Sequence, residues 1–206
     1  MSEQTSLPEA RPHTAAKIVF CLVVLSAILS ILLSAPPRPL PSDAPDTEFS
    51  AYRAIQHDYV IARKPHPAGS PENERVQTYI RDTMRSFGID ADVVSDLVAG
   101  GHSAGERNKV VARIPGTNNS KAFAIMAHYD STPYGPGAAD DCAGVIAMLE
   151  VARALKASPP LMNDVIFVFT DAEESGKLGA YSFADHPWYN DVVVMTNLEA
   201  RGTQVN

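Results

Sequence analysis

The strongest constraint in this chain is a repeated pattern, in which a short apolar run ends in residues able to bind a metal. Residues 122–127 run into His128-Tyr129-Asp130-Ser131, residues 165–169 lead to Glu173-Glu174, and residues 192–198 end at Glu199. Asp140-Asp141 lies between the first two runs, in a loop rich in Gly and Ala. Short continuous apolar runs of this kind are expected of strands buried on both faces. The intervening segments read as helices: 144–156 carries Val145, Met148, Leu149, Ala152 and Leu155 at helical spacing, and 178–184 is a shorter one. Such alternation predicts an α/β fold with a mostly parallel sheet covered by helices on both faces.

Upstream, a helix is predicted over 47–63, with Phe49, Tyr52, Ile55 and Tyr59 as its apolar stripe. The run Lys64-Pro65-His66-Pro67-Ala68-Gly69 breaks it. Ser70 can then cap a second helix with Pro71 in its first turn, and Val76, Ile80, Met84 and Phe87 form one stripe ending at Gly88. Strands are predicted over 90–97 and 109–114, joined by a Gly-rich loop at 99–106.

The N-terminal part has a different composition. Residues 15–35 form an apolar run with no charge after Lys17, about 20 residues long, which matches the roughly 30 Å of a bilayer core at about 1.5 Å per residue. A cleaved signal peptide is the alternative. Its best cut, after Ala35, has Leu33 where a small residue belongs and Pro36 just beyond, so the run reads as an uncleaved anchor. The predicted organisation is a disordered tail (1–14), a transmembrane helix (15–35), a stiff Pro-rich linker (36–46) and a globular domain (47–206). Arg11 and Lys17 precede the span and Asp43, Asp46 and Glu48 follow it, which favours a cytoplasmic N-terminus and a domain on the non-cytoplasmic side, in a periplasm, extracellular space or lumen. Asn118-Asn119-Ser120 is a glycosylation sequon, meaningful only in a eukaryotic lumen. The formal charge of −7 argues against nucleic acid as a partner. The two cysteines, Cys21 and Cys142, leave the redox compartment open.

In open α/β sheets ligands bind beyond the carboxyl ends of the strands. His128, Glu173-Glu174 and Glu199 would therefore face one crevice. Taken singly, a histidine after a strand is usually a turn residue and an acidic pair usually caps a helix. Together at successive strand ends they suggest a pair of divalent ions, and the imidazole favours zinc over magnesium or calcium. Two ions need a bridging anion, and Asp140 is suitably placed. Of Glu173 and Glu174, one can bind metal while the other serves as general base. Asp130 can accept the second N–H of His128 and fix its tautomer. His13, His57, His66, His102 and His186 have no such context, and His66 and His186 read as structural or exposed.

At these residues the chain resembles the co-catalytic zinc exopeptidases of metallopeptidase family 28, which includes aminopeptidases and glutamate carboxypeptidases. The matching stretches are AHYDS (127–131), GAADDCAG (137–144), FTDAEESGKLGA (169–180) and NLEARG (197–202), with a further likeness at KPHPAGSPENERVQTYI (64–80). Membrane-anchored members of the endoplasmic-reticulum and vacuolar type and bacterial relatives look most similar. The resemblance implies a three-layer α/β/α sandwich and two zinc ions per complete domain. It also implies that Asp140 bridges both ions, His128 and Glu199 bind one, Glu174 binds the other, Glu173 is the general base and Asp130 orients His128. The Asp140-Asp141 peptide would be cis. The family supplies a further histidine downstream, absent from these 206 residues. The chain is therefore expected to be the front portion of a longer domain.

The activity so implied is hydrolysis of a peptide substrate through a metal-activated water, an aminopeptidase first of all. Glutaminyl cyclase or carboxypeptidase chemistry on the same fold is a rival. A peptidase-like binding ectodomain, or a catalytically incomplete piece, is another. Substrate preference and oligomeric state are not legible.

Overall fold

The computed structural model describes residues 12–34, 38–100, 103–118 and 121–200. The chain divides between Arg38 and Pro39 into two units. The first is the helix α1, Pro12–Leu33, whose stretch His13–Leu33 has a mean hydropathy of 2.7 and is long and apolar enough to cross a membrane. Ala35, where a signal would be cut, lies outside the described residues, as do Asn119 and Ser120 of the sequon, His102, and Arg201 and Gly202 of the last motif.

The second unit is a five-stranded sheet between helices. Its elements are α2 (Ala51–Ile61), α3 (Pro71–Ser86), β1 (Ala91–Gly100), β2 (Ser103–Ile114), β3 (Ala122–His128), α4 (Ala143–Ala157), β4 (Asp164–Thr170), α5 (Leu178–Phe183) and β5 (Val192–Asn197). The strand order is β1-β2-β4-β3-β5. β3 pairs in parallel with β4 and β5, while β2 is antiparallel to both β4 and β1. Four strands thus run one way and β2 alone opposes them, in line with the mostly parallel sheet expected.

Alternation along β4 explains the layers. Val165, Phe167 and Phe169 join one buried cluster with Ala54 and Ile61 of α2, Val76, Ile80 and Met84 of α3, and Val145, Met148 and Leu149 of α4. Ile166 and Val168 point the other way, to Phe183 of α5 and Val111 and Ala124 of the sheet. Every residue of β4 is buried, so the strand needs apolar side chains on both faces and tolerates no polar–apolar alternation. The result is the α/β/α sandwich. The chain passes from β3 through α4 to β4 on one side, then back through α5 to β5 on the other. The strand order therefore reverses at β3, where such sheets open a crevice.

Four local expectations need correction. α2 begins later, at Ala51, because the Ser50 hydroxyl caps it by accepting the Arg53 amide. Of its predicted apolar stripe, Phe49, Tyr52 and Tyr59 are exposed and only Ile55 packs against the core, beside the buried Ala54 and Ile61. The 99–106 loop is mostly strand, since the β1–β2 hairpin pairs residue by residue out to Gly100 and Ser103. Along this ribbon Leu97 is exposed, and polar partners meet across the strands, such as the Ser95 hydroxyl donating to Asn108. β5 is a strand as predicted but is not buried: it pairs only with β3 among the described strands, and Val193 and Val194 remain about half exposed. The Pro-rich stretch is no free spacer from Pro39 onward. Arg53 donates to the carbonyls of Ser42, Ala44 and Glu48, and Arg153 to those of Asp46 and Glu48. Glu150, fully buried, anchors both arginines.

Candidate metal centre

The site forms where three parallel strands end. His128 is the last residue of β3, in register with Thr170, the last of β4. Glu199 follows β5 by two residues, held near β3 by the Leu198 amide donating to the Met126 carbonyl. Asp140 comes from the kinked segment Ala138–Cys142 that leads into α4, where its own backbone is extended at φ −129° and ψ 92°. One ligand atom each from His128, Asp140 and Glu199 lie within 4.8 Å of one another. Three residues spread over 72 positions of sequence meet because the parallel sheet puts the ends of β3 and β5 side by side and the turn before α4 brings Asp140 to them.

The hydrogen bonds around His128 define its chemistry. Nδ1 lies 3.0 Å from the Asp130 carbonyl oxygen, an acceptor only, so Nδ1 carries the proton. Nε2 then turns its other side to Asp140 Oδ1 at 3.1 Å and Glu199 Oε1 at 3.5 Å. A ring lone pair and two carboxylate oxygens facing each other repel unless a cation lies between them. Burial disfavours the imidazolium, but the Asp130 carboxylate beside Nδ1, reinforced by Asp141 and Glu173, outweighs burial and pushes the His128 pKa up to about 10. A proton or a metal ion meets the same demand. The donor set, one imidazole nitrogen with carboxylate oxygens, fits zinc. The imidazole is buried, whereas the side chains of Asp140 and Glu199 are about half exposed, so the centre has a fixed floor and an open mouth.

The remaining predicted residues lie close by with different partners. The Asp130 carboxylate is 3.4 Å from Nδ1 of His128, farther than its own carbonyl, and accepts the amides of Glu173 at 3.0 Å and Glu174 at 3.2 Å. Asp130 thus meets the imidazole N–H with its carbonyl at 3.0 Å and has its carboxylate at 3.4 Å. Glu173 and Glu174 sit on the loop after β4. Burial raises the Glu174 pKa, and Asp140 and Asp130 add to the effect, but its carboxylate is not within the 4.8 Å group. The Asp140-Asp141 peptide is cis.

A buried polar layer beneath the site was not anticipated from the sequence. Asp141 is buried, its Oδ1 accepts the Gly144 amide, and its Oδ2 has no hydrogen-bond partner. Burial pushes its pKa up to about 6, with the carboxylates of Glu199 and Asp140 adding to the rise and the Gly144 amide and His128 opposing it. His66, read as structural or exposed, is fully buried: its amide donates to the Ser131 hydroxyl at 2.8 Å and its ring faces Cys142 Sγ at 3.8 Å. Asn73 donates to Asp171, and Gln77 donates to the Tyr129 hydroxyl. The likeness at residues 64–80 was the available signal, since His66, Asn73 and Gln77 all belong to that stretch. Asp171 and Asn73 also line a polar cavity of about 320 Å³ with Gln77, Glu106 and Asn108, a space that the three grouped residues do not border.

Comparison with known proteins agrees with this geometry. Residues 109–206 match peptidase family M28. A vacuolar membrane protease of Candida albicans is 35% identical over 146 residues, covering 69% of this chain and 17% of that protein. The chain therefore spans less than a fifth of that relative's length. Among solved structures, glutaminyl cyclase of Porphyromonas gingivalis superposes with a TM-score of 0.67 at 23% identity, covering 78% of this chain and 62% of its own. A zinc aminopeptidase of Bacillus subtilis gives 0.68 at 16% identity, covering 77% and 71%. At such identities these two share the fold, while the family match rests on sequence. Over residues 109–206, just under half of its length, the chain thus carries the sequence pattern of peptidase family M28.

Proposed function

We propose that this chain carries the first zinc site of a membrane-anchored exopeptidase, an aminopeptidase in the first instance. The observation that carries the proposal is the convergence of His128 Nε2 at the end of β3, Asp140 from the turn before α4 and Glu199 just past β5, a donor set that a metal ion would reconcile. His128 and Glu199 would hold one ion, Asp140 would face both ions, and Glu174 would hold the second. When bound, zinc polarises the scissile carbonyl and makes water acidic enough to be deprotonated near neutral pH. The chain's own residues supply the rest. Glu173 takes the proton from the attacking water and delivers it to the leaving amine, the two halves of general base and acid work. His128 keeps its orientation through the Asp130 carbonyl, and the half-exposed carboxylates leave room for a peptide end. Glutaminyl cyclisation is the second reading, favoured by the fold likeness to the Porphyromonas gingivalis enzyme.

Zinc content by elemental analysis of the detergent-purified chain tests this reading. At least one equivalent is expected, lost in His128→Ala. Absence of zinc from the wild type, or its retention in that variant, overturns the assignment. With an aminoacyl anilide and an N-terminal glutaminyl peptide as probes, amine release identifies a peptidase and ring closure a cyclase. Glu173→Gln should lower either rate by about 10²-fold or more while zinc is kept.

A further inference from the structure

The loop that carries Glu173 and Glu174 has no regular structure of its own, yet its main chain is tightly held. Leu178 and Gly179 donate back to the carbonyls of Ala172 and Asp171, and Gly176 and Lys177 both donate to Glu173. Ala172, fully buried, takes a left-handed conformation at φ 59°, where a side chain costs about 1 kcal/mol or more relative to glycine. That turn aims the next two amides in the same direction. Successive amides after a left-handed residue form a concave anion-binding nest. The anion in it is the Asp130 carboxylate, one oxygen on the Glu173 amide at 3.0 Å and the other on the Glu174 amide at 3.2 Å. Asp130 is itself buried at the end of β3.

From this geometry we infer that Asp130 is the positioning residue for the acidic loop, its carboxylate clamping the backbone of Glu173 and Glu174 in fixed relation to His128. The residue works in two directions. Its carbonyl sets the imidazole, and its carboxylate sets the two acidic residues 43 and 44 positions later. A carboxylate accepting two amides makes charge-assisted bonds, roughly twice as strong as neutral ones. Glutamine or asparagine cannot replace it fully, because an amide group would turn donors toward one of the two N–H groups. The roles of Glu173 and Glu174 as base and ligand rest on the function proposed above, whereas the clamp does not.

Residue-resolved amide hydrogen exchange on the wild-type chain tests the clamp without any variant. Glu173 and Glu174 should exchange at least tenfold more slowly than Ser175, their exposed neighbour. Exchange at the rate of Ser175 overturns the inference. In Asp130→Asn the protection of Glu173 and Glu174 should fall about tenfold or more while that of β3 and β4 is unchanged, and Asp130→Glu should restore part of it. Protection unchanged in a folded Asp130→Asn chain also overturns it. If peptide hydrolysis is measurable, kcat should fall in Asp130→Asn with KM little altered. Absence of zinc from the wild type counts against the proposed function, while the exchange rates still decide the clamp.

Discussion

At the scale of single residues, two buried acids, Asp130 and Glu150, each gather several hydrogen-bond donors. Glu150 receives the Ser50 amide and the guanidinium groups of Arg53 and Arg153. Burial alone would raise its pKa, but the hydrogen bonds from Arg153, Ser50 and Arg53 outweigh it and hold the carboxyl below its ordinary 4.5. The folded state therefore binds this proton less readily than the unfolded one. The stability it contributes is complete above about pH 4.5 and is lost as pH falls through the lower, folded-state value. Glu150→Gln should flatten this acid limb in thermal melts recorded between about pH 3 and 6. It should also loosen residues 39–50, which the two arginines tie to α2 and α4. An unaltered acid limb would show that other groups govern acid unfolding. Little of this could be read in advance, because an arginine's partner is a matter of distance, and Glu150 lies about a hundred positions from Ser50 and Arg53.

At the scale of elements, the acidic loop is set by how α5 seats against β4. The N-terminal turn of α5 approaches the end of the strand so closely that a Cβ added at Gly179 would lie 2.3 Å from the Asp171 carbonyl oxygen and 2.7 Å from its amide nitrogen. Backbone cannot yield as a side chain would. Gly179→Ala should therefore displace the loop and cost about 1–3 kcal/mol, measured by denaturant unfolding. Zinc at His128, Asp140 and Glu199 should be kept, since none of the three lies on this loop. Full stability in the variant would mean that α5 can shift freely. The motif FTDAEESGKLGA already contained this glycine, but its reason is steric and appears only when the helix is packed. α3 is the opposite case: Ser70 caps it, Pro71 opens it and Gly88 follows it with φ 72°, as its sequence alone indicated, because capping and turn chemistry are local.

At the scale of the whole molecule, α1 and the metal centre belong to separate units whose functions are joined through the chain. The helix is apolar enough to span a bilayer, and the related vacuolar membrane protease is named for its membrane. The charge asymmetry about the span predicts that protease added to sealed vesicles with the cytoplasmic face outward will trim only the residues before α1. The 39–206 unit should be digested only after detergent is added. Digestion before detergent would reverse the proposed topology.

The sequence by itself determined the alternation of strands and helices, the burial of β4, though not of β3, whose Phe123 is 44% exposed, and the choice of His128, Asp140 and Glu199 as candidate ligands. Apolar periodicity and the chemistry of donor atoms are written in residue types and spacing. Only the tertiary structure decided that β2 runs against its neighbours, that β5 is half exposed, and that the stretch from Pro39 is bound to the body. It also revealed that the Asp130 carboxylate holds a backbone loop while its carbonyl holds the histidine. These facts depend on which distant groups come within hydrogen-bond reach, and sequence spacing carries no distance between residues brought together by packing.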